Sequence, residues 1–145
     1  MYNAKDLQNA KNNLAGHTLA LCKDEILLSS DKRGILPMVG YIDDNVDLRG
    51  FCAADTIVGK AVASMFVKSG IVAVYAIVMS KAAYDYLESH GIYAEYGTLV
   101  DMIVNRQGTR SCPMEEAVKD LTNPDECFVA LKNKLAFLRS QNSNK

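Results

Sequence analysis

The chain has 145 residues, 49% of them hydrophobic and 23% charged. That is the length and composition of one globular domain, able to bury roughly 68–70% of its unfolded surface, and it argues against two separate cores. Sixteen Lys and Arg against seventeen Asp and Glu leave a formal net charge of −1, so no global basic field gathers nucleic acid or an anionic membrane around it.

The longest apolar run, Ile71 to Met79, is about half of the roughly 20 residues a membrane helix needs. The amino end, Met1-Tyr2-Asn3-Ala4-Lys5-Asp6, is polar and has no hydrophobic signal core behind it, so a cytoplasmic location is expected. Cys22, Cys52, Cys112 and Cys127 lie far apart without a C-x-x-C pair and read as reduced thiols.

In chain order, Asn3 to Ala15 carries Leu7, Ala10, Leu14 and Ala15 at helical spacing, with Gly16 as a stop. From His17 the period changes. Thr18 to Cys22 and Ile26 to Ser29, joined by Lys23-Asp24-Glu25, read as two strands of a hairpin. After Ser30 to Gly34, the set Ile35, Leu36, Met38, Val39, Tyr41 and Ile42 predicts a helix that tolerates Pro37 in its first turn and ends before Asp47.

Gly50 to Lys60 reads as a short strand meeting Asp55 as the N-cap of an apolar helix, which runs through Ala61, Val62, Met65 and Phe66 to Gly70. The buried-type strand Ile71 to Met79 completes a βαβ crossover with parallel strands. Ser80 then caps a helix through Tyr84 and Leu87 to Gly91, and Ile92 to Tyr96 returns as a strand. Together these elements predict an α/β fold, a three-layer α/β/α sandwich on a mixed sheet.

Further on, Thr98 to Val104 is expected as a short helix with Leu99, Met102 and Ile103 inward, followed by the polar connection Asn105 to Ser111. Cys112-Pro113-Met114-Glu115-Glu116 opens a helix, and Asn123-Pro124-Asp125-Glu126 opens the last one, with Cys127, Phe128, Leu131, Leu135 and Leu138 on its apolar face. A single domain is expected over 1–138, with 139–145 as a disordered tail.

The element order matches that of the cytidine deaminase-like fold. Three stretches narrow it: Ser-Ser-Asp-Lys-Arg-Gly-Ile-Leu-Pro at 29–37, Ala-Asp-Thr-Ile-Val-Gly-Lys-Ala at 54–61, and Asn-Arg-Gln-Gly-Thr-Arg-Ser-Cys-Pro-Met-Glu at 105–115. Over residues 14 to about 138 the chain resembles an uncharacterised prokaryotic family of unknown function with that fold. The resemblance implies fold and carries no reaction with it.

Zinc deaminases need a His or Cys ligand beside a proton-shuttling Glu at one helix start and P-C-x-x-C at the next. By element order those positions are Arg33-Gly34-Ile35-Leu36 and Asp55 to Lys60, which offer no soft ligand, and His17 and His90 sit elsewhere. Neither a metal nor another cofactor is therefore expected. In an open sheet with parallel strands, ligands collect at the strands' carboxyl ends, where helix amino termini present free N–H groups. Asp55 reads as a polar clamp there, or simply as an N-cap, with Thr56, the Gly59 backbone and Lys60 completing a small anion-tolerant mouth.

Cys112 reads as a structural cap or buried small residue, or as a nucleophile if the helix field lowers its pKa, although Glu115, placed for a capping box in the same helix, opposes that. Arg33 and Arg106 could pair with phosphate or carboxylate. The leading reading is a zinc-free deaminase-like domain binding a small polar metabolite, nucleotide derivatives included, without nucleic-acid or membrane partners. Two alternatives stay open: an enzyme using Cys112 as nucleophile or Asp55 as general base, and a non-catalytic homo-oligomeric partner protein.

Overall fold

The computed structural model describes residues 2–104 and 112–143, with side chains to Gln141. It has the order α1 (Ala4–Asn13), β1 (Leu19–Lys23), β2 (Ile26–Ser30), α2 (Leu36–Asp43), β3 (Cys52–Val58), α3 (Lys60–Ser69), β4 (Ala73–Ser80), α4 (Lys81–Ser89), β5 (Tyr93–Val100), α5 (Pro113–Val118) and α6 (Pro124–Ser143). The five strands form one mixed sheet in the order β2-β1-β3-β4-β5. β1 is antiparallel to both β2 and β3, whereas β3, β4 and β5 run parallel. The hairpin turns at Asp24, whose φ of 56° a short polar side chain tolerates.

α1 starts because the Asn3 side chain accepts from the Lys5 and Asp6 N–H groups. It lays Leu7, Ala10 and Leu14 over Cys22, Cys52, Ala54 and Ala73 in two small clusters. The main core gathers α2, α3, α4, α5 and α6 with Leu19, Leu21, Ala53, Val74 and Ala76 of the sheet. α3 is its centre: six consecutive residues, Ala61 to Phe66, are buried, so packing surrounds the helix in its first two turns. Gly70 ends it with φ of 80°, a left-handed C-cap that glycine adopts without strain.

The alternation of the three parallel strands slips by one residue near their carboxyl ends. Ala76 and Met79 are three apart, and Ala53 and Val58 five apart, yet all four lie in the main core, which strict alternation forbids. The residues between turn outward: Ile57 is 54% and Ile77 47% exposed. Asp55 stands just before the slip. It pairs across the sheet with Leu19 and Ala76, and its Oδ1 accepts the Thr56 N–H at 2.7 Å.

Four sequence expectations are corrected here. Asp55 is inside β3, not at a helix start; the strand continues through the β-branched Thr56, Ile57 and Val58, and Gly59 is the N-cap of α3. Thr98 to Val104 is not a helix, because Thr98, Leu99 and Val100 pair with Val78, Met79 and Ser80 as the end of β5. β3 and β4 both end one or more residues later than the apolar runs suggested. α6 continues as helix to Ser143, past Leu138.

Candidate functional site

The crossovers β3–α3 and β4–α4 bring two helix starts to the carboxyl ends of neighbouring parallel strands. A cleft of about 500 Å³ opens there. Lys60 enters it from the first residue of α3, and Ser80 from the end of β4. Ala82, Asp85, Tyr86 and Ser89 form one helical face of α4, at the spacing that puts them side by side. Asp101, Met102 and Ile103 follow β5 on one side, and Glu115, Glu116 and Lys119 close the other.

Ser80 serves two ends: its Oγ accepts the Ala83 N–H at 3.1 Å and so starts α4 at the cleft rim. Tyr86 presents its ring to the cleft while its hydroxyl donates to the Thr122 carbonyl at 2.7 Å, so the ring is anchored. Burial pushes the Tyr86 phenol up to about 12. The Lys60 ammonium lies 5.7 Å over that ring and donates to the Lys119 carbonyl at 3.1 Å, tying α3 to α5. Lys81 and Asp101 form an exposed pair at 2.9 Å on the rim.

The start of α3 is already occupied. Glu115, from α5, accepts the Lys60 N–H through Oε1 at 2.8 Å and the Ala61 N–H through Oε2 at 3.0 Å. Gly59 makes this approach possible: a Cβ there would lie 2.5 Å from the Glu115 carboxyl carbon and from both oxygens. Burial raises the Glu115 carboxyl above its ordinary value, and the Ala61 and Lys60 N–H groups pull it back down. The carboxylate thus supplies the cap that glycine cannot, across 55 residues of sequence rather than within its own helix. The capping box expected inside α5 is therefore replaced by a contact between helices.

The expected mouth of Asp55, Thr56, Gly59 and Lys60 does not assemble. Lys60 lines the cleft, and Gly59 sits under Glu115. Asp55 is only 7% exposed and does not line this cleft, because its inward position faces the core. Burial pushes its carboxyl up to about 7, against the Thr56 and Ile57 N–H groups that hold it down. Thr56 lines a different, shallower concavity beside α1, with Lys11, His17 and Tyr75. In that second concavity Lys11 pairs with Glu95 and sits 4.5 Å over the Tyr75 ring, and His17 pairs with Asp31 at 2.6 Å.

Arg33 is exposed in the loop before α2 and lines neither concavity. Arg106 and Arg110 lie outside the described residues. Cys112 is half-buried as the N-cap of α5, without a side-chain capping bond, and does not line the cleft. Cys22, Cys52 and Cys127 are buried. The described lining holds neither imidazole nor thiol, and no three His, Cys, Asp or Glu side chains converge among the described residues. A deaminase-type zinc, which needs His and Cys donors, does not fit this cleft.

Sequence reasoning did not place Asp85, Tyr86 and Asp101 at a site, and it read Ser80 and Glu115 only as caps of their own helices. One signal pointed to an outside cap: the apolar helix after Gly59 begins with no Ser, Thr, Asp or Asn at its N-cap.

No curated protein matches the chain. It is similar to a DUF1893 family protein (TM1506) from Thermotoga maritima of known crystal structure, at 24% identity over 92% of each chain with a TM-score of 0.84. At that identity the likeness speaks for the fold alone. The sequence profile of TM1506, described as a domain of unknown function (DUF1893), matches residues 9–135. The chain belongs to that family.

Proposed function

We propose that this protein binds a small polar metabolite, nucleotide-derived compounds first among the candidates, in the cleft at the carboxyl ends of β3, β4 and β5, and that it does so as a zinc-free domain of the cytidine deaminase-like type. The strand order, the parallel β4–β5 pair, and α1 packed apart from the other helices support a three-layer sandwich of that type. The observation that carries the binding reading is the cleft itself: about 500 Å³ at the strand ends, with an anchored aromatic ring, two ammonium groups and several carboxylates around it. Ligand sites in parallel sheets occupy this place, and a few convergent polar groups beside apolar wall are what they require.

Thermal shift across nucleobases, nucleosides, nucleotides, amines and sugars tests it. A ligand at 100 times its Kd stabilises by about 2.7 kcal/mol, or roughly 5–11 °C for a domain of this size. Ala82→Trp, which puts an indole on the α4 wall of the cleft, should abolish the shift. A flat response across the library, or a shift that survives Ala82→Trp, refutes the proposal.

A further inference from the structure

We infer that Glu115 fills, from within, the anion seat at the start of α3 and thereby restricts the cleft to unphosphorylated ligands, neutral or amine-bearing. The inference rests on the cleft reading above and names the ligand class. A helix start at the carboxyl end of a parallel strand is where a phosphate would ordinarily be held, on backbone N–H groups. Here the two N–H groups that would hold it, Lys60 and Ala61, are bridged by the two Glu115 oxygens at 2.8 and 3.0 Å. The fit is built into the backbone, since any side chain at residue 59 would collide with the carboxylate at 2.5 Å.

The surrounding charge points the same way. Asp85, Asp101 and Glu116 share the lining with Glu115, against Lys60 and Lys119; Lys81 pairs with Asp101 at the rim, and the Lys60 ammonium is turned to the Lys119 carbonyl. A phosphate ester entering the cleft meets a fixed carboxylate where it would need donors, a juxtaposition that costs more than a tenfold loss of affinity. An amine or hydroxyl meets the Asp85 carboxylate instead.

The test follows the backbone amides of Lys60 and Ala61 by ¹⁵N NMR while inorganic phosphate is titrated at constant ionic strength. In the wild type they should not move. In Glu115→Ala, which empties the seat and is shown by circular dichroism to keep its fold, they should shift saturably with at least about tenfold tighter phosphate binding, and adding Ala82→Trp should remove the gain. Wild-type amides that move with the same phosphate affinity as Glu115→Ala overturn the inference; if Ala82→Trp then abolishes that binding, the cleft reading stands with phosphate as its ligand. A folded Glu115→Ala that gains nothing overturns it too. Should Glu115→Ala not fold, Glu115→Ser takes its place and is read in the same way. A metabolite screen flat for every charge class, with Glu115→Ala still gaining phosphate, refutes the cleft reading and leaves Glu115 in its seat.

Discussion

Asp55 makes the fold sensitive to pH in a way that one substitution isolates. Its carboxyl rises from an ordinary 3.8 to about 7 because burial inside β3 outweighs two backbone N–H bonds. A carboxyl raised in the folded state adds stability that is complete below the unfolded value and is lost as pH climbs towards the folded one. At about 1.4 kcal/mol per pH unit, the loss between about pH 4 and pH 7 comes to about 4 kcal/mol, a large share of what holds a small domain together. Asp55→Asn keeps an acceptor for the Thr56 N–H and never ionises. Urea unfolding of both proteins across this range gives the decisive quantity, the difference between them, in which Glu115, Asp47 and the other carboxyls cancel. Asp55→Asn should gain on the wild type by about 4 kcal/mol between pH 4 and pH 7 and hold that margin above it. A difference that is flat with pH, or that falls as pH rises, would refute the claim that the Asp55 carboxyl is buried without a cationic partner.

Three further outcomes follow from the same geometry. Gly59→Ala, whose backbone is extended and unstrained at φ −102° and ψ 179°, should destabilise by about 1–2 kcal/mol, because the Glu115 carboxylate must swing off the two N–H groups it caps; in a double-mutant cycle the substitution should cost little once Glu115→Ala is present, and strict additivity would mean the two do not touch. Lys60→Ala removes an exposed hydrogen bond and a cation–π contact, so urea unfolding should show a loss of about 1 kcal/mol or less, while any ligand-induced thermal shift falls away. A thiol reagent under native conditions should modify one cysteine quickly, and Cys112→Ser should remove that phase, since the other three thiols are buried; fast labelling that persists in Cys112→Ser would contradict the packing and end the case for a reactive Cys112.

The helices, the hairpin and the βαβ crossover were legible because each announces itself locally, through Leu7, Ala10 and Leu14 at helical spacing, Ser80 as a cap, Gly70 as a stop, and the apolar runs of β3 and β4. Where the reading failed, a neighbour distant in sequence decided. Leu99, Met102 and Ile103 suit a helical stripe, and Thr98 to Val100 became strand only because β4 offered an unpaired edge. Thr56-Ile57-Val58 is a strand signal on β-branching alone, and reading it as helix moved Asp55 to a cap position it does not hold. That single misplacement also dissolved the expected Asp55–Lys60 mouth: five residues apart at a helix start the two could converge, but Asp55 on the core side of a strand and Lys60 beyond its end face different spaces.

Glu115 shows why the site was harder to read than the fold. Its cue was a deficiency elsewhere, a helix beginning at Gly59 with two donors and no capping side chain, and only the packing of α5 against α3 brings the acceptor to it. Buried donors do not stay unmet, so an uncapped apolar helix start in a sequence amounts to a demand for an acceptor from another element or from a ligand. In this chain another element meets that demand. For the ligand site proposed above, the consequence is that the α3 start is already spent on the chain's own carboxylate, and selectivity would come from what surrounds it: the Tyr86 ring, the Lys60 ammonium and the acids on α4 and after β5.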